Sequence, residues 1–417
     1  MPKPSSSSSP TPPSDTHGLD RWAWLFVLTG SVLRVAWPLD MEWKFDEKWM
    51  FAKALAIASG REAWPWIGMP SGVGLQNPGL SIWPFALLAY VFPEPVAMTQ
   101  AVQWINVLGL WGFALWVKRT WSAQHQALGL WGIALYAVSP LAVLFSRKIW
   151  AQDLLIVFVL PWLWGHRRRK HAWGAALWGL SGALLGQVHM SGFFAAAALL
   201  IVTAFMDRGR FHVLGWLAGS VLGALLLVPW LRFLLSPAAR HVESGGELTL
   251  RFFIEALRHA WGLGIEYALG DAYHALLSGP SIAGVDTHLA AAARFALFAL
   301  LLLAVVDRVR AGLRDHVPEP VRSYAGCVLI AGLGLCAARV SMYAHYLIVF
   351  GPLLHVVAAW SLSGRRWAVL ALCGLQTFLS ACFIVYIHVH GGAPEADYGT
   401  AYRAQSAEQR AIPAELP

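Results

Sequence analysis

The chain has 417 residues, of which 57% are hydrophobic and only 13% are charged. A soluble domain carries about a quarter charged residues, so this composition excludes an ordinary soluble protein. Apolar runs of about 17–25 residues recur along the chain, which is long enough to cross a hydrocarbon layer about 30 Å thick. These runs lack the strict alternation of membrane β-strands. The sequence therefore predicts an all-α polytopic membrane protein.

The formal net charge of +8 comes from Lys and Arg residues that lie in short clusters between the apolar runs. Such clusters are typical of cytoplasmic loops and do not indicate a nucleic-acid-binding surface. The clusters predicted to be cytoplasmic are Lys118-Arg119, Arg167-Arg168-Arg169-Lys170, Arg208 with Arg210, Arg308 with Arg310 and Arg314, and Arg365-Arg366. The four cysteines lie inside apolar runs without metal-ligand spacing, so we interpret them as buried thiols.

The chain divides into three parts. Residues 1–20 form a Ser/Pro-rich arm, predicted to be disordered and cytoplasmic because it cannot form a packed core. Residues 21–386 form the transmembrane module, and residues 387–417 form a short extracytoplasmic tail. We predict about 11 spanning helices, within limits of 10–13, near 22–39, 99–117, 127–145, 149–165, 172–187, 189–205, 212–235, 289–306, 323–340, 345–363 and 367–386.

Residues 79–93 form a further apolar segment, which is short and contains Pro84 and Pro93. We predict a re-entrant or membrane-surface helix there, and the alternative is a shallow crossing. With eleven crossings the loops 40–98 and 236–288 and the turns 146–149 and 341–344 all lie on the extracytoplasmic face. The polar residues that no loop accounts for concentrate on that same face.

The stretch WKFDEKW, residues 43–49, places Asp46 and Glu47 among aromatic side chains just after the first apolar run. One interpretation is an acidic pair that caps a surface helix, where carboxylates favour the N-terminal dipole. The other is functional, because the aromatic flanks place the pair at the membrane interface, where desolvation makes a carboxylate a stronger base. These residues alone leave both interpretations open.

The stretch SRKIWAQDLL, residues 146–155, contains Arg147 and Lys148, a doubled cation on the predicted outer face. Snorkelling of the long side chains accounts for these two cations. Gln152 and Asp153 fall in the first turn of the next helix, where an unpaired charge is costly. We therefore predict a functional role for Asp153.

Other polar residues at this face are candidate substrate contacts. They are Asn77 in LQNPGLS, Gln187 and His189 in GQVHMSGFF, and Arg339, His345 and Tyr346 in ARVSMYAHYLIVFGP. For the pair in GQVHMSGFF, hydrogen bonding between helices is an equally good interpretation.

Carboxylates beside Arg, Lys and His at one membrane face indicate chemistry on a lipid-linked anion. A lipid phosphate needs cations that bind it and stabilise it as a leaving group. A hydroxyl or amine acceptor needs a carboxylate that orients it and takes its proton. Sugar transfer from a polyprenyl phosphate requires both kinds of residue, while the prenyl tail stays in the bilayer.

The order of these motifs resembles the GT-C superfamily of polyprenyl-phosphate-sugar glycosyltransferases, near the protein O-mannosyltransferase and aminoarabinose transferase branch. The motifs are a first helix ending in Arg34, FDE in the first outer loop, an N-P-x-L entry, SRxIWxQD, QxHxS and a late HYL. The resemblance spans roughly residues 20–360. It departs from the family at Asn77-Pro78-Gly79, where relatives often have Pro-Pro, and in the lack of a soluble C-terminal domain.

The resemblance implies a bundle of the GT-C type in which Asp46 positions and activates the acceptor. Glu47 supports Asp46, and Asp153 matches the acidic residue of the second outer loop. Arg147, Lys148, Arg339 and His345 are then candidates for the lipid phosphate. A divalent metal such as Mg²⁺ or Mn²⁺, where one is used, would be held by Asp46 and Asp153.

We therefore expect an integral membrane glycosyltransferase of a bacterial inner membrane whose active face is extracytoplasmic. It would transfer a sugar from a polyprenyl-phosphate donor to a protein, lipid or glycan, with inversion, because a single displacement needs one base and one bound leaving group. One alternative is a membrane transporter or lipid-linked glycan flippase, in which buried charges line a path. Another is a ligase or polymerase of lipid-linked glycans, which shares the donor.

Overall fold

The computed structural model describes residues 16–71, 75–236, 239, 249–312 and 317–413. Most of the predicted arm 1–20 lies outside these residues. The described residues form an integral membrane bundle of helices, as the composition predicts. The four cysteines are free thiols, three of them buried and Cys382 partly exposed.

Helices are numbered along the chain. The first are α1 (Thr16–Val35), α2 (Phe45–Ala58), α3 (Trp83–Ala89), α4 (Pro95–Thr120), α5 (Ala123–Val138), α6 (Pro140–Leu144), α7 (Leu155–Arg167), α8 (Ala172–Val188) and α9 (Ser191–Asp207). They continue with α10 (Val213–Ala224), α11 (Val228–Leu234), α12 (Arg251–Ala260), α13 (Glu266–Leu269), α14 (Ala272–Ser278), α15 (Leu289–Ala311), α16 (Glu319–Ala337), α17 (Gly351–Ser361), α18 (Arg366–His390) and α19 (Ala407–Arg410). Short 3₁₀ helices lie at Pro38–Asp40, Gly79–Ser81, Ala151–Leu154, Leu225–Leu227, Ala344–Phe350 and Tyr402–Ala404.

The strands form small antiparallel hairpins in the loops. They are β1 (Ile67–Pro70) with β2 (Gln76–Pro78), β3 (Ser281–Ile282) with β4 (Val285–Asp286), and β5 (Gly392–Ala393) with β6 (Gly399–Thr400). The first hairpin lies in the loop between α2 and α3, and the third follows directly after α18.

Each of the eleven predicted spans coincides with a helix or with two or three helices that follow one another directly. Within the described ranges, five segments combine the length and hydropathy needed to cross a membrane, namely Val213–Leu234, Leu289–Ala311, Glu319–Ala337, Ala344–Ser361 and Arg366–His390. The number of crossings therefore stays a prediction. The apolar helical segment Gly79–Ala89 is about 16 Å long at 1.5 Å per residue, which is too short to cross the hydrocarbon layer.

Small residues let the helices approach closely. The helix α8 packs between α7 and α10, and a Cβ atom on Gly219 of α10 would overlap the carbonyl group of Ala176 in α8. Likewise, a Cβ atom on Gly30 of α1 would overlap the Ala137 carbonyl of α5. Such close contacts between small residues stabilise helix pairs in lipid, where apolar surface alone gives little driving force.

One end of the bundle collects the polar segments, and we call it the polar end. There the first loop (residues 38–48), the turn before α7 (residues 146–154) and the residues after α18 meet. Residues 391–413, which we call the C-terminal strap, lie across the first loop. The strap is held there by a β-bridge between Glu42 and Ala401 and by a 3.0 Å hydrogen bond from the Tyr402 amide to the Met41 carbonyl.

Candidate active site

Seven charged side chains from three segments form one cluster at the polar end. They are Glu42, Lys44, Asp46 and Glu47 from the first loop and the start of α2, Lys148 and Asp153 from the turn before α7, and Asp397 from the strap. We call this group the carboxylate–lysine cluster. It unites the three predicted catalytic residues with Lys148, as the sequence predicts, and adds three residues that the sequence analysis did not select.

The centre of the cluster is a buried ion pair between Lys148 and Glu42. The ammonium nitrogen of Lys148 lies 3.0 Å from Oε1 of Glu42, and each side chain is 2% exposed. Burial opposes the charged form of Lys148, but Glu42 and the neighbouring carboxylates outweigh burial and raise the pKa of the lysine. The same nitrogen lies 4.6 Å from the ring centroid of Trp150, within cation–π range. Lys148 therefore stays charged where water is largely excluded.

Lys44 bridges the same glutamate to the strap. Its ammonium nitrogen lies 3.0 Å from Oε2 of Glu42 and 3.4 Å from Oδ2 of Asp397. It also donates a hydrogen bond to the backbone carbonyl of Asp397. Glu42 is thus held by two lysines, one on each carboxylate oxygen.

Asp46 differs from the other carboxylates of the cluster because no described residue binds it. It is the second residue of α2 and is partly buried, yet within the part of the chain that the structure describes it has no hydrogen bond and no ion pair. Burial raises its pKa, and Asp397 and Glu42 add to this effect, while Lys44 and Lys148 oppose it. A carboxylate that is free, near cations and raised in pKa has the properties of a general base.

Glu47 serves a structural purpose at the start of α2. One carboxylate oxygen accepts a 3.2 Å hydrogen bond from the backbone amide of Lys44 and so closes a capping box. The side chain is 1% exposed, and burial together with the charge on Glu42 raises its pKa to about 7. Near neutral pH, Glu47 is therefore partly protonated while it fixes the helix that presents Asp46.

Asp153 lies in the 3₁₀ helix Ala151–Leu154 and is 1% exposed. Its Oδ2 atom accepts a 3.2 Å hydrogen bond from the backbone amide of Lys148. Its Oδ1 atom is buried without a hydrogen-bond partner among the described residues. The segment is held from behind by Asn106 of α4, which donates a 2.8 Å hydrogen bond to the Asp153 carbonyl. Asp153 therefore keeps one oxygen available for a ligand.

A group of rings adjoins the cluster through Trp150. The ring centroid of His345 lies 4.6 Å from that of Trp150 and 4.7 Å from that of Tyr346. His189 lies 5.6 Å from His345 by the same measure, and its Nδ1 atom is 2.7 Å from the hydroxyl oxygen of Ser191. The structure thus brings three predicted substrate contacts, His189, His345 and Tyr346, together beside Lys148.

Two predicted contacts are engaged elsewhere. The guanidinium of Arg147 donates hydrogen bonds of 2.9, 2.8 and 3.2 Å to the carbonyls of Leu33, Arg34 and Trp37, where it caps the C-terminal end of α1. The amide nitrogen of Gln187 donates to two carbonyls, one in α8 and one in α10, which is the hydrogen bonding between helices that was the alternative interpretation. Both side chains stabilise helix ends or helix pairs in this structure.

The remaining predicted contacts are Asn77, Gln152 and Arg339. Asn77 donates a 2.9 Å hydrogen bond to the Met69 carbonyl within the first hairpin. Gln152 is buried, and its carbonyl oxygen has no partner within the described residues. Arg339 is exposed and has a backbone φ of 51°, in the left-handed region, at the end of α16. No described residue binds its guanidinium, so this cation is open to a ligand.

A divalent metal between Asp46 and Asp153 stays a prediction. Across the described ranges, no three His, Cys, Asp or Glu side chains converge in a way that could hold a metal ion. Glu42 is already neutralised by two lysines, and Asp153 accepts from a backbone amide. We therefore derive no step through a metal.

Three members of the cluster escaped the sequence analysis. Glu42 lies only four residues before Asp46 and in the same loop, so its position was a usable indication. Lys44 lies between them in WKFDEKW. Asp397 had no local pattern, because its place depends on the strap folding back over residues more than 350 positions earlier.

The bundle and its polar end define an integral membrane protein with a fold of the GT-C type. Among solved structures, the chain is similar to ArnT from Cupriavidus metallidurans in the apo state, with a TM-score of 0.52 and 15% identity, over 84% of this chain and 62% of that chain. A second structure of that protein, bound to undecaprenyl phosphate, gives a TM-score of 0.42 and 15% identity, over 86% and 78% of the two chains.

The likeness to apo ArnT confirms the fold that the motifs implied. This chain spans less than two thirds of the apo ArnT chain. No protein-family model matches the sequence, and a search of curated protein sequences gave no match.

Proposed function

We propose that the protein is a membrane glycosyltransferase that transfers a sugar from a polyprenyl-phosphate donor to an acceptor outside the cytoplasm. The observation that supports this proposal most strongly is the state of Asp46. It is a partly buried carboxylate without a partner among the described residues, presented at the start of α2 near the buried Lys148 and the partly exposed Lys44. A purely structural carboxylate in such surroundings would be paired.

Asp46 is the general base in the proposed reaction. The acceptor hydroxyl or amine donates its proton to Asp46 as its oxygen or nitrogen attacks the anomeric carbon of the sugar. The bond between that carbon and the phosphate oxygen breaks, and the lipid phosphate leaves with the electron pair. A single displacement of this kind inverts the anomeric carbon. The free oxygen of Asp153 orients the acceptor from the opposite segment.

The donor phosphate is placed by the cations and rings beyond Trp150. Lys148 is charged and buried there, and His345 and Tyr346 adjoin it. Arg339 is exposed and unbound by any described residue, which suits a residue that meets the lipid phosphate at the membrane surface. We leave Arg147 out of this group because the carbonyls of α1 occupy its guanidinium.

The test is a comparison of glycolipids and glycoproteins by mass spectrometry in host cells that lack the chain. Cells complemented with the unchanged chain should regain one glycosylated species, and cells complemented with Asp46→Asn should lack it and accumulate a polyprenyl-phosphate sugar. The matched control is Glu395→Gln, which neutralises an exposed strap carboxylate outside the cluster. Normal acceptor glycosylation in the Asp46→Asn cells would contradict the proposed role of Asp46.

A further inference from the structure

We propose that Asp397, in the C-terminal strap, is a positioning residue that keeps Lys44 away from the base Asp46. This inference rests on the proposed function, in which Asp46 takes the acceptor proton. Asp397 acts through Lys44 and touches no substrate itself.

The strap is fixed firmly enough to position a side chain. The indole nitrogen of Trp43 donates a 2.9 Å hydrogen bond to the Arg410 carbonyl. The guanidinium of Arg403 pairs with the buried carboxylate of Asp40, with Nε 2.9 Å from Oδ1. These contacts join the C-terminal half of the strap to the first loop, and the β-bridge between Glu42 and Ala401 fixes the strap four residues after Asp397.

Asp397 itself is held from a third direction. The next residue, Tyr398, donates its backbone amide to the Ala268 carbonyl of α13 at 2.9 Å, and its hydroxyl donates to the Asp40 carbonyl. The phenol of Tyr267 adjoins the Asp397 carboxylate. Asp397 thus stands between α13 and the first loop with its carboxylate directed at Lys44.

The ammonium group of Lys44 has two alternative positions. In this structure its ammonium lies between Glu42 and Asp397, and it contacts both the carboxylate and the backbone carbonyl of Asp397. Asp46 is only two residues further along the chain. An ammonium released from Asp397 can pair with Asp46, and a paired carboxylate is a weaker base with a lower pKa.

Every charged group that faces Asp46 enters this balance. From the first loop and α2 they are Glu42, Lys44 and Glu47, from the turn before α7 it is Lys148, and from the strap it is Asp397. Loss of the Asp397 carboxylate removes a negative charge and frees Lys44 from one of its two carboxylate partners, while the buried pair of Glu42 and Lys148 stays in place. Both changes lower the pKa of Asp46.

The experiment measures transfer between pH 5 and 9 with the purified full chain. Donor and acceptor come from membranes of host cells lacking the chain, which contain the accumulated polyprenyl-phosphate sugar. In Asp397→Asn the acid limb of kcat/KM should move down by about one pH unit, with a lower kcat at neutral pH. Asp397→Glu should restore both, and Glu395→Gln, two residues away, should match the unchanged chain.

Two outcomes would overturn the inference. One is an Asp397→Asn profile that superimposes on that of the unchanged chain. The other is a uniform loss of kcat with the acid limb in place, which indicates a merely structural residue. Lys44→Gln gives an independent check, because removing the cation should move the acid limb up, and no movement would contradict the coupling. Failure of the proposed function is distinct, since the purified unchanged chain would then show no sugar transfer at any pH.

Discussion

The two ends of α7 each carry a group of charged side chains with a buried cation at its centre, and these groups are built differently. At its C-terminal end, Arg169 binds Asp207 through two nitrogens at 2.6 and 3.1 Å and binds Glu319 at 3.1 Å, while Arg167 lies 3.3 Å from Glu319. We call this group the arginine cluster. Its carboxylates and guanidiniums pair one with another, as in a structural ion-pair network.

The carboxylate–lysine cluster lies about 20 Å away, at the other end of the 13-residue helix. There five carboxylates share two lysines, Asp46 has no partner and one oxygen of Asp153 is unsatisfied among the described residues. An imbalance of this kind costs stability unless a ligand uses it. The comparison indicates that pairing, and not charge or burial alone, separates the functional end from the structural end.

The largest expected effect is the loss of transfer activity when the proposed base is removed from the carboxylate–lysine cluster. Asp46→Asn keeps the size of the side chain and removes the base, so transfer should fall by roughly 10²–10⁴-fold. Membrane insertion and the thermal unfolding temperature should stay unchanged, because Asp46 binds no described residue. The measurement is kcat with a detergent melt as control. Near-normal turnover would mean that Asp46 only stabilises the start of α2.

The next prediction concerns Glu47. Its folded pKa of about 7 lies above the ordinary value of 4.5, so its contribution to stability is full below pH 4.5 and is lost as pH rises through 7. Glu47→Gln keeps an oxygen for the Lys44 amide and does not titrate. The variant should therefore be more stable than the unchanged chain at pH 8, by about 3 kcal/mol. If the unfolding free energies of Glu47→Gln and the unchanged chain differ by the same amount at every pH from 4 to 8, the prediction is contradicted.

A substitution in the arginine cluster should have the opposite effect from Asp46→Asn, because it should lower stability and leave transfer unchanged. Arg169→Met leaves Asp207 and Glu319 partly buried without their main cation, so the unfolding free energy should fall by about 2 kcal/mol. Transfer per folded molecule should not change, since the cluster is remote from Asp46. The check is a melt beside an activity assay normalised to folded protein. A lower kcat without a lower melting temperature would contradict a purely structural role for the arginine cluster.

The smallest expected effect tests whether Arg339 binds the donor phosphate. Arg339→Lys keeps the charge but loses the planar fork that binds a phosphate through two nitrogens. We expect about a tenfold higher KM for the polyprenyl-phosphate sugar, the equivalent of one charge-assisted hydrogen bond, and slower transfer. An arginine that only snorkels would tolerate Lys, and identical saturation curves would leave Lys148 and His345 as the donor contacts.

The sequence predicts the helices well and the interhelical contacts poorly. Hydropathy places a helix at every predicted span, because burying backbone in lipid leaves few alternatives. The pattern FDE also identifies Asp46, since local context decides its position at the start of α2. Arg147 shows the limit, because the carbonyls that occupy it belong to a helix more than 110 residues earlier. The amphipathic helix α12 and the strap lie outside any apolar run, so no hydropathy pattern predicts them.

The buried carboxylate of Asp40 binds His388 at 2.7 Å as well as Arg403, and both partners lie almost 350 residues or more further along the chain. During synthesis, the first loop is made long before these partners exist. The Asp40 carboxylate therefore stays hydrated and without these two partners while the helices between them are inserted. Contacts of such long range form late and make assembly slow. The ribosome thus sets the order in which this site matures, and a nascent chain that stops before residue 397 lacks both the strap and the lysine restraint it provides.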